Sequence, residues 1–301
     1  MYGSQIDAKI LADTISTNGA RITTFEVLCP LHAHVHMLTH RAFSRNAQSN
    51  RAIPSKIVIK DRAVYVPSFW GKNKKGMSPK GEEITGLKKV LAIIIWNSTS
   101  MVCKLSVRLL SALGLHKETA NRLISPFLMV NSIITATDFD NFFNLRISEH
   151  AQHDISILAT KMKKLLDESA PVISNVHAPL VHDREKEELY EYAKSIYSTY
   201  DISGGRMKLY AIANRIFNNI IVQAVVGRCA RVSYSTHNGF IDINKDINLH
   251  DLLLKDRHMS PFEHVAVASG CDDRHANLKG WYSYRSNIER LSSQKHQNEE
   301  A

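Results

Sequence analysis

The sequence predicts an α+β fold in which a mixed or antiparallel sheet is flanked by helices and the middle of the chain is largely helical. Residues 21–29 are rich in β-branched and aromatic side chains, which predicts a strand that ends at Pro30. Residues 86–113, 116–128 and 138–166 repeat apolar side chains at spacings of three and four, which predicts helices. Because few Gly-, Pro- or Ser-rich linkers separate these blocks, we expect one intertwined domain spanning the whole chain.

The first half of the chain contains three further local signals. Pro30 suits the first turn of a helix, so a helix is expected to follow the strand. Residues 71–86 are rich in Gly, Lys, Ser and Pro, which predicts an exposed loop that could act as a lid. The apolar run 90–96 is far shorter than the roughly 20 residues needed to span a bilayer. We interpret that run as part of a buried helix.

The second half begins with a helix start at Asp138, where Thr137 is the expected cap. Residues 171–179 are expected to form a connection, and residues 184–197 and 206–226 are expected to form helices. The buried side of the helix after Asp138 is expected to consist of Phe139, Phe142, Phe143 and Leu145.

Composition limits the classes of function. The chain has 38 Lys and Arg residues against 29 Asp and Glu residues, and the resulting formal charge of +9 favours anionic partners such as nucleotides or phosphorylated cofactors. The four cysteines, which form no C-x-x-C pair, predict neither a zinc ribbon nor a disulfide framework. Together with a polar N-terminus that does not resemble a secretory signal, this indicates the cytoplasm, or the host cytoplasm if the chain is virally encoded. We expect Cys29, Cys103, Cys229 and Cys271 to be buried, inert thiols.

Residues 39–51 form the densest group of hydrogen-bond donors in the sequence. The segment holds three arginines, one histidine, two serines and two asparagines around three apolar residues. Arginine forks and hydroxyl groups match phosphate oxygens and pyrimidine carbonyls. If this segment is helical, Arg41, Ser44, Gln48 and Arg51 share one face. From these residues alone, a solvated polar surface or loop is an equally good interpretation.

The same segment resembles the signature of flavin-dependent thymidylate synthases, the ThyX class. Six of the seven fixed positions of the pattern R-H-R-x-x-S-x-N-x-x-S-x-R are present, at His40, Arg41, Ser44, Asn46, Ser49 and Arg51. Residues 141–152, NFFNLR followed by HAQ, and Arg122 ahead of Pro126 resemble further motifs of that family. Residues 229–234, CARVSY, and 258–264, HMSPFEH, resemble another motif pair. In the family this pair precedes the signature, so the present chain looks circularly permuted.

The resemblance implies a methylation of dUMP to dTMP, with methylenetetrahydrofolate as carbon donor, NADPH as reductant and FAD as cofactor, in a homotetramer whose sites combine several subunits. Residues 21–56, 115–166 and 219–267 would form the site. Arg146 would stabilise negative charge on the base, and Ser49 would bind it as a hydrogen-bonding ligand at the reacting end. The implied FAD ligands are His40, Arg41, Asn141, Ser233, His258, Ser260 and Glu263. The implied nucleotide ligands are Gln48, Ser49, Arg51, Arg122 and Arg146.

Three departures from the family pattern leave the base open between dUMP and dCMP. Thr39 replaces the first arginine of the signature, Ala47 replaces an acidic residue, and Thr137 stands where a basic residue is common. Residues 280–285 faintly resemble the lead-in to the signature, with no role assigned.

Two rival functions follow from other features of the sequence. His32, His34, His36 and His40 form a histidine-rich group, and on a strand the H-x-H-x-H run would place three imidazoles on one face as ligands of a metal-dependent hydrolase. On a helix, which Pro30 favours, alternate residues point about 200° apart, so no metal ligand set is expected. A nucleic-acid-binding module would use the net positive charge, but acidic residues interrupt every basic stretch, so nucleic acid is not the expected main partner, and no membrane association is expected.

Overall fold

The computed structural model describes residues 5–49, 52–60, 64–76, 78–79, 81–198, 206–234 and 242–299. The helices are α1 (Leu31–Met37), α2 (Ser55–Lys60), α3 (Gly86–Ala112), α4 (Lys117–Ala120), α5 (Asp140–Arg146), α6 (His153–Glu168), α7 (Asp183–Ser198), α8 (Arg206–Phe217), α9 (Ile220–Tyr234), α10 (Ile243–Lys255) and α11 (Tyr284–Glu299). Within the described residues, 3-10 helices cover Asn121–Phe127 and Ser260–Glu263.

The strands are β1 (Asp7–Ile15), β2 (Arg21–Pro30), β3 (Ser44–Ala47), β4 (Met129–Ala136), β5 (Val172–Ile173), β6 (Val176–His177), β7 (Ala266–Ala268), β8 (Arg274–His275), β9 (Leu278–Lys279) and β10 (Trp281–Ser283). The main sheet has the order β3-β4-β2-β1-β5, antiparallel except for the parallel β1-β5 edge. A smaller sheet, β10-β7-β6, and the β8-β9 pair come from later residues. The prediction of a mixed α and β fold is confirmed.

Several predicted elements are present at the expected places. The strand β2 ends at Pro30, and α1 begins at the next residue. The helix predicted over 86–113 is α3, and the one predicted over 184–197 is α7. In the described part of the irregular segment 71–86, Gly71 forms an isolated bridge with Glu83.

Other boundaries differ from the predictions. The helix considered for the donor-rich segment is wrong, because its middle is β3, which pairs with β4 across a register from Ser44 with Thr135 to Ala47 with Ser132. The predicted helix 138–166 is two helices, α5 and α6, separated by residues 147–152. The predicted helix 206–226 is likewise interrupted between α8 and α9. Within the predicted connection 171–179, the short strands β5 and β6 are present.

The helix α5 buries three of its four predicted apolar residues. Phe139, at the N-cap, and Phe142 and Phe143 are buried in the cluster that covers β2 and β4, where Phe143 stacks on Phe139 and packs at a tilt against Phe142. Leu145 is 53% exposed, so its predicted burial is wrong. A seven-residue helix turns only one face to the sheet, and Leu145 lies on the other.

The interpretation of residues 90–96 as buried is also wrong. Ile94 and Ile95 in α3 are 54% and 66% exposed, whereas the opposite side of the helix packs on the 3-10 helix Asn121–Phe127. By length and composition alone, α3 is the one helix in the described part of the chain that is sufficiently long and apolar to cross a membrane.

The four cysteines differ in environment. Cys29 and Cys229 are buried, and burial raises the pKa of Cys29 to about 12 and that of Cys229 further still, so both thiols are held protonated. Their predicted inert character fits this environment. Cys103 is half-buried and Cys271 is exposed, so the prediction of burial is wrong for Cys271.

Candidate functional site

The donor-rich segment follows the end of α1 as a turn and then the edge strand β3. Arg45 stabilises this turn, because its Nη1 donates to the carbonyls of Met37 at 3.1 Å and Leu38 at 2.7 Å. A guanidinium at a helix C-terminus satisfies carbonyls that have no partner in the helix. Arg45 is thus occupied by the backbone, while the preceding His40 and Arg41 lie at the turn itself.

His40 and Arg146 connect two of the predicted site segments. Arg146 Nε donates to His40 Nε2 at 3.0 Å, and Arg146 Nη2 donates to Thr39 Oγ1 at 3.1 Å. Burial, followed by the charges of Arg146 and Arg45, lowers the pKa of His40, so the imidazole is neutral at neutral pH. Because Nε2 accepts the bond, the remaining proton is on Nδ1, which leaves one donor available.

A cavity of about 320 Å³ opens beside this pair. It is lined by His40, Arg41 and Asn141 among the predicted FAD ligands, together with Asp138 and Phe142. The His40 ring packs edge-on against Phe142 with centroids 5.0 Å apart, which fixes the imidazole plane. Arg41 and Asn141 are exposed. The cavity therefore offers a cation, an amide and an oriented imidazole to a ligand.

The strand β3 also contacts elements that lie nearly 200 residues later in the chain. It packs against α9 and the 3-10 helix Ser260–Glu263, and Asn46 Nδ2 donates to the carbonyl of Cys229 at 2.8 Å. The two C-terminal motifs are therefore adjacent to the signature in space, despite their order in the sequence.

A second cavity, of about 430 Å³, lies at this junction. Ser49, His258 and Ser260 line it among the predicted ligands, and Arg257 and Arg285 add positive charge. Arg257 has φ +55°, a left-handed conformation rare for a side-chain-bearing residue, and it ends α10 so that His258 turns towards the cavity.

Glu263 is held by an arginine that the sequence did not single out as a ligand. Arg285 Nη1 donates to Glu263 Oε1 at 2.6 Å, and Arg285 Nε donates to Glu289 at 2.7 Å. The weak likeness of residues 280–285 to the signature lead-in is the only sequence signal that pointed to Arg285.

His264, the last residue of the HMSPFEH motif, has a structural environment. It is fully buried, and its Nδ1 is 2.8 Å from Thr135 Oγ1 on β4. From Thr135 the polar chain continues to Thr24 at 2.7 Å and then to His177 Nε2, also at 2.7 Å. His177 Nδ1 lies 2.8 Å from Thr14 Oγ1. This buried polar chain, defined as Thr14, His177, Thr24, Thr135 and His264, joins the motif to the main sheet.

The arginine of the CARVSY motif is also structural. Arg231 Nε donates to the buried Asp246 at 2.7 Å, and the same carboxylate accepts from Arg228 at 3.1 Å. Arg228, 2% exposed, also forms two 2.9 Å bonds with Glu185. Buried charges of this kind are tolerated because every one is paired. They hold α9 against α10 and α7.

The remaining predicted residues lie outside both cavities or outside the described residues. Arg122 is 74% exposed and bonds Glu118 on its own helical segment. Gln48 follows β3, where its backbone N–H donates to Asn131 at 2.9 Å. Arg51 lies outside the described residues, as does the side chain of Ser233 at the end of α9.

The three positions that depart from the family pattern have identifiable surroundings. Thr39 accepts the bond from Arg146 described above, and Thr137 Oγ1 accepts from the backbone N–H of Lys279 at 2.9 Å. Ala47 lies in the wall of the second cavity, where it contributes no charge.

The histidines of the H-x-H-x-H run lie on a helix, as predicted, and point apart. His32 Nε2 is 2.8 Å from Asp154 Oδ2, whereas His34 Nδ1 is 3.2 Å from Ser132 Oγ. Among the described residues, no group of three or more His, Cys, Asp or Glu side chains could hold a metal ion. A hydrolase built on this run lacks its ligand set.

The largest of these cavities, about 670 Å³, lies under the irregular segment 71–86. Its walls include Phe69 stacked on His153, and Tyr65, whose hydroxyl donates to Asp154 at 2.6 Å. Gly71, Ser78, Pro79 and Gly81 of the segment lie at the rim. That the segment closes as a lid stays a prediction.

Comparison with known proteins gives two kinds of likeness. The family model described as thymidylate synthase complementing protein matches residues 20–172. A flavin-dependent thymidylate synthase from Thermosipho melanesiensis is 31% identical over 156 residues, which are 50% of this chain and 65% of that protein. The present chain thus matches less than two thirds of the length of that relative. Residues 229–264, which include the two C-terminal motifs, lie beyond the family match.

Among solved structures, two crystal structures of the UMP/dUMP methylase PolB from Streptomyces cacaoi are similar. The structure bound with 5-Br dUMP has a TM-score of 0.47 at 16% identity and covers 55% of this chain and 91% of its own. The structure bound with 5-Br UMP has a TM-score of 0.46 at 16% identity, with 55% and 90% covered.

Proposed function

The chain belongs to the thymidylate synthase complementing protein family, whose model matches half of it, and on this premise we propose that it is a flavin-dependent enzyme that methylates dUMP to dTMP. The observation that carries the proposal is the hydrogen bond between Arg146 and His40, 106 residues apart, beside a cavity lined by Arg41 and Asn141. Side chains from two separate family motifs thus meet at one place.

The donor set fits a phosphorylated, planar cofactor such as FAD. Arg41 supplies a guanidinium for phosphate oxygens, and the Nδ1–H of His40 and the amide of Asn141 suit carbonyl and ring nitrogen atoms. His258, Ser260 and Glu263 would bind further parts of the same cofactor, and Ser233 is retained as a candidate. When bound, FAD supplies the redox chemistry that amino-acid side chains lack.

In this proposal Arg146 stabilises negative charge that develops on the pyrimidine, and Ser49, in the second cavity, binds the base by a hydrogen bond. Arg51 and Gln48 are proposed to bind the nucleotide phosphate and sugar. Arg122 is exposed in the protomer, so we propose that it reaches nucleotide held by a neighbouring subunit of a homotetramer. NADPH and methylenetetrahydrofolate are the proposed co-substrates, and the cytoplasm is the proposed location.

Ala47 keeps dCMP as the second candidate substrate. A carboxylate at this position of the second cavity would repel a carbonyl oxygen of the base and would accept a hydrogen bond from an amino group. The methyl group of Ala47 does neither. Charge at this position of the wall therefore does not discriminate between the 4-oxygen of uracil and the 4-amino group of cytosine.

Tritium release from C5-labelled dUMP and dCMP, with folate and NADPH present, tests the proposal. We expect release from dUMP by a yellow protein with bound flavin, and release from neither nucleotide would refute it. Arg146→Ala should lower kcat by about 10²- to 10³-fold. Arg184→Ala, at a 91% exposed arginine on α7, is the matched control and should retain full activity.

A further inference from the structure

The long helix α3 has an apolar surface on the side that faces away from the core. Ten apolar side chains between Leu87 and Leu113 are each more than half exposed, Met101 among them at 70%. They are Leu87, Val90, Leu91, Ile94, Ile95, Met101, Val102, Leu105, Leu109 and Leu113. Monomeric proteins rarely leave a continuous apolar patch of more than a few hundred Å² in water.

Seven exposed residues of α3 follow a heptad spacing, and five of them belong to the ten apolar residues above. Leu91, Ile95, Ser98, Val102, Leu105, Leu109 and Ala112, the outer seam, are separated alternately by four and three residues, and all are exposed. The inner side repeats the same spacing at Trp96, Ser100, Cys103, Val107 and Leu110 and packs within the protomer. The two seams lie about 150° apart around the helix, so a single protomer covers only one. A 3.5-residue apolar repeat is the pattern by which one helix packs along another.

We propose that the outer seam of α3 pairs with the outer seam of α3 from a second copy of this chain, in an antiparallel, two-fold arrangement. An isologous interface requires a self-complementary surface, and a seam with its midpoint at Val102 meets this requirement. Parallel pairing would bring together both helix N-termini and both Lys88-Lys89 pairs, whereas antiparallel pairing opposes the helix dipoles.

The exposed apolar surface of α3 is large enough for this partner. The ten apolar side chains, five in the outer seam and five beside it, expose on the order of 1,000 Å² of surface, and a standard stable interface buries about 800 Å² per partner. Ser98 and Ala112 are small and lie within the seam, which allows two backbones to approach closely. The seam is bordered by the hydroxyls of Thr99 and Ser106, whose own bonds are to the helix backbone.

A lipid bilayer is a less suitable occupant. To cross a membrane, α3 would have to give up its inner contacts, including the 2.8 Å bond from Trp96 Nε1 to the carbonyl of Tyr65 and the burial of Val107. Binding flat on an anionic membrane leaves those contacts intact, so it is tested below as the competing outcome.

This inference specifies one interface of the proposed multimer and to that extent rests on the proposed function. Assembly and flavin content are separate measurements, so the two proposals fail separately. A protein that assembles through α3 but binds no flavin would contradict only the proposed function. A yellow, active protein that assembles without α3 would contradict only this inference.

The first test is the mass of the full chain by sedimentation velocity. Leu105→Glu places a charge in the seam and should weaken self-association at least 100-fold, halving the mass at micromolar concentration. Leu252→Glu on α10 is the matched control, because both leucines are 54% exposed on helices, and it should assemble as the unmodified chain does. Circular dichroism of both variants checks that each is folded.

Unchanged assembly of Leu105→Glu, or a monomeric unmodified chain, would overturn the proposal. So would flotation of the unmodified chain with phosphatidylcholine and phosphatidylglycerol vesicles that Leu105→Glu abolishes without any change in mass. That result would assign the seam to a membrane surface.

Cross-linking tests the direction of pairing. In a Cys271→Ser background, which removes the exposed native thiol, Val102→Cys should form a disulfide-linked dimer on mild oxidation. Ile95→Cys should form a disulfide-linked dimer only when it is mixed with Leu109→Cys, because position 95 of one chain opposes position 109 of the other in the antiparallel arrangement. Efficient dimer formation by Ile95→Cys alone would refute antiparallel pairing.

Discussion

The buried histidines of the polar chain predict a loss of stability in mild acid. Burial lowers the pKa of His177 to about 3, and burial followed by the neighbouring His177 lowers the pKa of His264 to about 3. Both values lie below the ordinary value of 6.5, so between pH 6.5 and 3 the unfolded chain binds more protons than the folded protein. The contribution of the two neutral histidines to the free energy of unfolding is complete above pH 6.5 and is lost progressively as the pH falls towards 3.

The size of the effect follows from these values. At pH 5.5, protonation of one such histidine in the unfolded chain lowers the free energy of unfolding by about 1.4 kcal/mol, and the two together lower it by about 3 kcal/mol. A typical domain is stable by only about 5 to 15 kcal/mol, so the loss is readily measured.

Urea unfolding at pH 7.5 and pH 5.5, followed by circular dichroism, provides the measurement. His177→Gln removes one titrating group, and the drop in stability between the two pH values should shrink by about 1.4 kcal/mol. Any constant cost of the substitution cancels in this difference. Thr135→Val is the control, since it removes a hydroxyl of the chain, lowers stability at both pH values and retains both imidazoles. An undiminished drop in His177→Gln would refute the reasoning.

Three further predictions concern the elements around the second cavity. Gly227→Ala should lower the free energy of unfolding by about 3 kcal/mol, because its Cβ would overlap the backbone carbonyl of Asp246, and a thermal melt that does not shift would contradict this packing. Arg257→Gly should raise the free energy of unfolding by about 1 kcal/mol by relieving the left-handed backbone, and calorimetry that shows a loss would assign Arg257 a different role. Arg285→Lys keeps the charge but loses the fork that holds Glu263, so equilibrium dialysis should show about tenfold weaker FAD binding, and unchanged binding would separate Glu263 from the cofactor site.

The sequence predicted elements whose signals are local and missed those decided by pairing. The strand β2 was predictable from its β-branched residues and Pro30. The sequence Ser-Arg-Asn-Ala of β3 has little preference for a strand, and its conformation comes from pairing with β4, which lies more than 80 residues later. The outer face of α3 was predicted to be buried and is exposed in the protomer. Apolar composition indicates which residues favour burial but does not identify the surface that buries them.

Within the candidate site, the sequence singled out residues but did not predict their contacts. Motif positions singled out His40 and Arg146, yet nothing in their spacing predicts that one donates to the other. Arg231 lies within the CARVSY motif, and nothing in the sequence indicated that its partner would be the buried Asp246. Arg285 holds the carboxylate of Glu263. Such ion pairs have no fixed separation along a chain, so the sequence does not predict them.

The hydrogen bond from Asn46 to Cys229 spans 183 residues, and this separation has a consequence for biosynthesis. At translation rates of about 5 to 20 residues per second, β3 leaves the ribosome roughly 10 to 40 s before α9 follows. During that interval the β3 edge of the nascent sheet is not yet packed against α9. Exposed sheet edges are the places where partly folded chains form incorrect strand pairs and aggregate. The strand β3 is thus synthesised early but gains its contacts with α9 late. We expect the yield of folded protein in cells to depend on chaperones that shield this edge of the sheet.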